Sequence, residues 1–209
     1  DVLKGGGIAV IPMDVGYTCA GGSTEALQKI FETKRRTASK RNAMVGDMAI
    51  ANELYDLSQR GWDVIQVITN DYDIPLGAVG PCKIGHPLLQ VLDKEAIEAS
   101  TKEGTLVMLL NAGPFHSEIC RLSLLEMHPI FGSSANISLT GTKFRVEDID
   151  EEIKNISDVV IDHGLRKYHF YNQSSTLLNV ETFEVVRKGS NYEIIADICK
   201  RRFGRTLVD

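Results

Sequence analysis

The sequence has 209 residues, of which 43% are hydrophobic, so it can bury one core as a single domain. No apolar run approaches the roughly 18 residues of a membrane span, and the start shows no signal-peptide pattern, so no membrane partner is expected. The net charge of -5 argues against broad, nonspecific nucleic-acid binding but leaves room for a local basic patch.

The first half of the chain alternates strand and helix patterns. Residues 7–12 form a near-continuous apolar run with β-branched members, which predicts a buried strand. Ser23 is placed to cap a helix over residues 24–33. Further along we predict a short strand at 43–45, helices at 49–58 and 62–69, a loop or irregular strand at 77–87, a helix at 87–100, and a clear apolar strand at 105–110.

The second half continues the alternation. The elements predicted there are a helix at 115–126, a strand at 129–132, an acidic helix at 146–154, a strand at 158–162, a hairpin of strands at 176–180 and 183–187, and a last helix at 191–203 with a basic end. Alternating helices and strands predict an α/β fold, and the terminal hairpin predicts a mixed sheet.

The cysteines and histidines give no sign of a metal site. The four cysteines are far apart and form no Cys-x-x-Cys pair, so we predict a reduced, cytoplasmic chain without structural zinc. The five histidines show no His-Glu-x-x-His spacing, and no metal ligand is predicted. Because the sequence starts at Asp1 rather than Met, we expect a short leader to precede it.

Two cations follow the first predicted helix. Lys34 and Arg36 are two residues apart in a loop, where they can converge on one anion, and arginine offers a bidentate fork for phosphate oxygens. An exposed basic helix end, which suits the helix dipole, explains the same residues. For this pair alone we prefer the interpretation as an exposed basic helix end.

Small polar residues lie at the ends of other predicted strands. In Ser133-Ser134-Ala135-Asn136 the small side chains allow close backbone approach to a ligand, with hydroxyl and amide donors. The hydroxyls of Ser174-Ser175-Thr176 suit phosphate or ribose, and Arg187 supplies a further cation. Asp14 is placed to orient another group, and Tyr17 to stack on a small ligand. Ordinary turns, caps and edge packing explain each cluster separately, but their order and spacing together predict a mononucleotide site.

These clusters, in this order, resemble the YrdC-like family, whose typical members are threonylcarbamoyl-AMP synthases. The residues that carry the resemblance are Gly6-Gly7 with Pro12-Met13-Asp14-Val15-Gly16-Tyr17, Lys34 to Arg41, Ser133-Ser134-Ala135-Asn136, Asp162-His163-Gly164, Ser175-Thr176-Leu177-Leu178-Asn179 and Arg187-Lys188-Gly189. The resemblance implies a domain over residues 1–190, with 191–209 as a helical extension of that domain.

The resemblance also implies an architecture and a reaction. The fold would be an open twisted mixed sheet with helices around a large basic concave cavity. Members combine L-threonine, bicarbonate and ATP, which carries Mg²⁺, into threonylcarbamoyl-adenylate and pyrophosphate. A downstream transferase then moves the threonylcarbamoyl group to a tRNA adenosine, and some members bind tRNA or double-stranded RNA.

The site residues implied by the resemblance fall into four groups. The catalytic set is Lys34, Arg36, Ser134 and Asn136. The nucleotide-binding set is Lys40, Ser175, Thr176 and Arg187, and the substrate-binding set is Asp14 and Tyr17. RNA would contact Lys34, Arg35, Arg36, Lys40 and Arg41.

Three positions depart from the family pattern. Met13 and Val15 stand where typical members have threonines, and Leu109 stands where they have an arginine that reaches the nucleotide phosphates. Losing these contacts would cost on the order of 3–5 kcal/mol in binding. Arg121 and Arg145 are the nearby basic residues that we consider as replacements for the missing arginine.

Three functions therefore remain open. The first is a threonylcarbamoyl-AMP synthase or a close nucleotidyltransferase variant. The second is a non-catalytic RNA-binding paralogue that uses the basic loop at 34–41 and Arg187-Lys188. The third is a carbamoyl- or adenylyl-transfer enzyme with a less polar acceptor amine, suggested by Met13 and Val15. The opening motif also resembles the YciO-like branch.

Overall fold

Ten strands form one mixed sheet in the computed structural model, which describes residues 1–35 and 41–207. The strands are β1 Ala9–Met13, β2 Gly16–Gly21, β3 Ala43–Val45, β4 Leu76–Pro81, β5 Thr101–Lys102, β6 Thr105–Leu110, β7 Phe131–Ser134, β8 Val159–Val160, β9 Leu177–Asn179 and β10 Val185–Arg187. Their order across the sheet is β10-β9-β4-β6-β3-β7-β2-β1-β8, with β5 paired to β6.

The helices cover the sheet and close its core. They are α1 Thr24–Thr33, α2 Met48–Leu54, α3 Gln59–Gln66, α4 Lys94–Ser100, α5 Pro114–Leu125, α6 Glu151–Asn155 and α7 Tyr192–Phe203. A π-helical turn at Val67–Asp71 extends α3. As predicted, α1 spans 24–33, because the Ser23 hydroxyl accepts a hydrogen bond from the Ala26 amide at 3.2 Å.

The pairing of the strands confirms the predicted α/β class with a mixed sheet. β3 runs parallel to β6, and β4 runs parallel to β9, whereas β4 pairs antiparallel with β6 over six residues. The predicted closing hairpin is present as the antiparallel pair β9 and β10. No helix within residues 1–35 and 41–207 combines the length and hydropathy required of a membrane span.

One strand was not predicted, and one segment that was left with two alternatives forms a strand. The motif around Asp14 is a tight hairpin turn, and the unpredicted strand β2 begins at Gly16, whose φ of +115° suits glycine. The segment predicted as a loop or an irregular strand at 77–87 contains the central strand β4. Its Gly77 is required by packing, because a Cβ there would overlap the Leu177 side chain.

Two predicted helices are shorter than their patterns. The segment predicted as a helix at 87–100 forms turns until Asp93, whose carboxylate caps α4 by accepting from the Ala96 amide at 2.8 Å. The acidic helix predicted at 146–154 is interrupted at Ile149, which is extended and buried at 2% exposure. In both segments tertiary burial overrides the continuous helical pattern, and in the first a new cap at Asp93 sets the start of the helix.

Candidate functional site

A cavity of about 590 Å³ lies over one face of the sheet. Alternate residues of β6 project into it, namely Thr105, Val107 and Leu109, because successive side chains of a strand point to opposite faces. Its polar and charged lining residues are Thr18, Lys34, Arg41, Ser100, Lys102, Glu103, Thr105, Ser133, Ser134, Asn136, Ser138, Ser174, Ser175, Asn179, Glu184 and Arg187. The described lining therefore carries four cations against two carboxylates, a net positive charge as expected.

One end of the cavity is organised around Lys34. This lysine ends α1 with only 3% of its surface exposed, and its ammonium donates to the backbone oxygens of Ser134 and Asn136. The Ser134 hydroxyl donates to the Asn136 side-chain oxygen. Three members of the predicted catalytic set therefore meet in one network, while Arg36 and Lys40 lie outside the described residues.

The opposite end is formed by β9 and β10. The Arg187 guanidinium donates to the Ser175 backbone oxygen at 2.7 Å, and both residues line the cavity. Surrounding protein lowers the pKa of Arg187 by desolvation, but an arginine remains charged at neutral pH. Thr176 lies behind this wall, fully buried, and its hydroxyl donates to the Ser190 oxygen at 2.9 Å.

An apolar floor separates the two polar ends. β7 and β9 are four strand spacings apart, or roughly 19 Å along the sheet at about 4.8 Å per spacing. Val79, Val107, Leu109 and Leu177 line the cavity between them. One phosphate group therefore cannot contact both ends, and Leu109, at the position of the family arginine, contributes only apolar surface.

Arg121 and Arg145 do not supply a replacement cation. Arg121 is paired with Glu118 at 2.8 Å on the exposed face of α5, and Arg145 lies near Glu147 at 3.8 Å. Neither is part of the cavity lining. Arg35 is also outside it, in an exposed ion pair with Glu152 at 2.8 Å.

Asp14 and Tyr17 are placed away from this cavity. The buried Tyr17 hydroxyl lies 2.8 Å from the Gly164 oxygen and accepts from the His163 amide at 3.1 Å. Asp14 lies 3.4 Å from Arg166 and 3.9 Å from Lys167, and burial raises the pKa of its carboxyl. Both side chains fasten the segment after β8 to the β1–β2 hairpin.

Met13 and Val15 are core residues, which corrects the argument built on them. Met13 is 0% exposed, Val15 is 2% exposed, and both belong to the main hydrophobic cluster. Hydroxyl groups at these two positions would not face the described cavity. Their absence therefore has no bearing on the polarity of a ligand bound there.

Replacing Tyr17 by phenylalanine is expected to lower stability without changing ligand affinity. The Tyr17→Phe change removes the hydroxyl that serves Gly164 and His163, at a cost of about 1–2 kcal/mol. Chemical denaturation measures the stability loss, and calorimetry with ATP measures affinity. A large loss of affinity in a fully folded variant would instead place Tyr17 in the ligand site.

Several lining residues were missed from the sequence. Ser100 and Thr105 were assigned only to secondary structure, Asn179 was named only within a family motif, and Thr18 was assigned to no element. The alternation within 105–110 predicts that Thr105, Val107 and Leu109 share one face, but only the sheet order places that face opposite Lys34. Within residues 1–35 and 41–207, no group of three His, Cys, Asp or Glu side chains could hold a metal ion.

An open mixed sheet with a concave polar cavity on one face defines this protein as a YrdC-like α/β domain. The chain belongs to the Sua5/YciO/YrdC family, whose model, described as telomere recombination, matches residues 1–189. No curated protein matches the chain.

Solved structures with low sequence identity share the fold. P. abyssi Sua5 complexed with L-threonine has a TM-score of 0.76 at 18% identity, with 100% of this chain and 57% of that chain covered. A hypothetical protein from Streptococcus mutans UA159 has a TM-score of 0.76 at 23% identity, covering 99% and 91%. E. coli YciO has a TM-score of 0.67 at 16% identity, covering 90% and 86%. This chain thus spans less than two thirds of the Sua5 chain.

Proposed function

We propose that this protein is a threonylcarbamoyl-AMP synthase-type nucleotidyltransferase, which makes threonylcarbamoyl-adenylate from L-threonine, bicarbonate and ATP. The observation that carries the proposal is the Lys34, Ser134 and Asn136 network at the wall of a cavity of about 590 Å³. Family membership and the Sua5 structure with L-threonine support it. The adenylate would serve tRNA modification through a downstream transferase.

The chain's own groups would bind and orient the reactants. In the proposed reaction the threonine amine attacks the carbon of bicarbonate, and a C–O bond breaks so that water leaves and a carbamate remains. A carbamate oxygen then forms a bond to the α-phosphorus of ATP. The bond from that phosphorus to the bridging oxygen breaks, and pyrophosphate leaves with the electron pair. Lys34 would stabilise negative charge near the reacting phosphate, and Ser134 and Asn136 would orient the adenylate. Mg²⁺ would enter as the ATP complex and neutralise phosphate charge.

Replacing Lys34 tests this proposal directly. Lys34→Ala is expected to weaken ATP binding by roughly 10- to 100-fold, because it removes a charge-assisted contact. Calorimetry with MgATP, with and without threonine and bicarbonate, measures affinity, and pyrophosphate release measures turnover. Lys29→Ala, on the exposed face of the same helix, is the matched control.

A second variant separates binding from folding. Lys34 also ties together two backbone oxygens, so Lys34→Ala is expected to lower the thermal midpoint as well. Ser134→Ala leaves those oxygens in place and is expected to reduce turnover in a stable protein. Wild-type protein that releases no pyrophosphate and binds no ATP would refute the synthase assignment.

The apolar floor favours a second candidate, an enzyme with a less polar acceptor amine than threonine. Leu109, Val107 and Leu177 offer hydrocarbon contacts where a side chain of the acceptor would lie. A panel of amino acids supplied with bicarbonate and MgATP tests this candidate by pyrophosphate release. Preference for valine or isoleucine over threonine would support it, and release with threonine alone would reject it. RNA binding stays a prediction of the sequence.

A further inference from the structure

A third polar region of the cavity lies where β5 meets β6. We call it the β5 subsite and define it by Arg41, Ser100, Lys102 and Thr105, all of which line the cavity. It is separate from the Lys34 network on β7 and from Arg187 on β10. Among its members, only Arg41 belongs to a motif singled out in the sequence.

Sheet pairing brings these residues to one place. β4 occupies one edge of β6 along its whole length, from Thr105 to Leu110. The other edge is shared, because β3 pairs with Met108 and Leu109 while β5 pairs with Thr105 and Leu106. The chain that enters β3 therefore passes the end of β5, and the Arg41 Nε donates to the Thr101 oxygen at 2.8 Å.

Ser100 is the second, independent indication of a ligand at this position. Ser100 is only 1% exposed and lines the cavity, yet its hydroxyl has no hydrogen-bond partner among the described residues. A buried hydroxyl left unpaired is unfavourable, because it loses the hydrogen bonds that water supplies in the unfolded chain. Such a group is explained if a ligand oxygen completes its hydrogen bonding.

We propose that Arg41, Ser100 and Lys102 form a subsite for the di- or triphosphate tail of a nucleotide. The inference rests on the proposed nucleotide-binding function and adds where the phosphates lie. Guanidinium, ammonium and hydroxyl donors match phosphate oxygens, whereas Leu109 presents none.

One opposing charge belongs to the same wall. Glu103 lines the cavity beside Lys102 and would repel a phosphate. Glu103→Gln is therefore expected to strengthen phosphate binding two- to threefold, opposite in direction to the loss of Arg41. Opposite changes in phosphate affinity for Glu103→Gln and for the loss of Arg41 distinguish a local electrostatic effect from a general loss of structure.

The experiment is calorimetric titration of the full chain with MgATP, MgADP, AMP and inorganic tripolyphosphate. Arg41→Ala is expected to weaken ATP and tripolyphosphate binding roughly 10- to 100-fold and AMP binding less than threefold. Ser100→Ala is expected to weaken ATP binding about fivefold while leaving the unliganded protein as stable or more stable. Arg145→Ala, a cation outside the cavity, is the matched control and is expected to change nothing.

The outcomes separate this inference from the proposed function. Wild-type binding of ATP that Arg41→Ala and Ser100→Ala leave unchanged, or equal losses for AMP and ATP, would overturn the subsite and leave the synthase proposal intact. Arg41-dependent binding of tripolyphosphate without ATP binding would support the subsite and reject the synthase. No binding of any of the four probes would reject both.

Discussion

Acidification from pH 7 to pH 4 is expected to remove about 3 kcal/mol of folding free energy through His116 alone. Burial lowers the pKa of His116 from its ordinary value of 6.5 to about 4. The ring is neutral in the folded protein, with one nitrogen 2.9 Å from the Leu109 oxygen and the other accepting from the Ala112 amide at 3.5 Å. A second ring proton would face that amide hydrogen.

The direction follows from comparing the folded and unfolded states. In the unfolded chain His116 takes up a proton near pH 6.5, whereas in the folded protein it takes up a proton only near pH 4. The stability that neutral His116 contributes is therefore complete above pH 6.5, and it is lost as the pH falls from 6.5 to about 4. Because His116 holds the backbone of Leu109, the same acidification is expected to loosen the cavity floor.

Urea unfolding at several pH values measures this effect. His116→Gln removes the titrating group, so its stability is expected to fall less steeply between pH 6.5 and 4 than that of the wild type. His169→Gln, at an exposed histidine, is the matched control and is expected to retain the wild-type slope. Parallel curves for wild type and His116→Gln would contradict the prediction.

Gly189→Ala is expected to destabilise the protein by about 3 kcal/mol, which corresponds to a fall of roughly 6–12 °C in Tm. A Cβ at Gly189 would lie 2.5 Å from the carbonyl carbon and oxygen of Ser175, and closer still to the Ser174 oxygen. These are backbone atoms, so no side-chain rotation relieves the overlap. The close approach of Gly189 to the backbone of Ser174 and Ser175 supports the cavity wall that carries Ser175 and Arg187.

Thermal denaturation of Gly189→Ala beside Gly85→Ala tests this prediction. A Cβ at Gly85 meets no atom within 4 Å among the described residues, so that change is expected to stay within about 0.5 kcal/mol of wild type. The folded fraction of Gly189→Ala is also expected to bind ATP more weakly, because Ser175 and Arg187 shift together. Equal midpoints for the two variants would show that the backbone accommodates the methyl group.

The candidate site was predicted in part. The clusters at Lys34, Ser134, Asn136, Ser175 and Arg187 do line one cavity, as their order along the chain suggested. Asp14 and Tyr17 belong to one of the quoted motifs but pack elsewhere, because the chain turns back at Asp14 and Val15 and Tyr17 is buried on β2. Motif spacing therefore identified polar residues without deciding which of them faces the cavity.

The sequence by itself determined the class of fold, the family and the elements whose signals are local. The helix at 24–33 has its cap at Ser23, and the strand at 105–110 has its own apolar run, so both can be recognised from the local sequence. Only the tertiary structure decided the role of Gly77, the burial of Met13 and the meeting of Arg41 with Ser100. The physical reason is that burial, close approach and an unpaired hydroxyl depend on strands that pair across long separations in sequence.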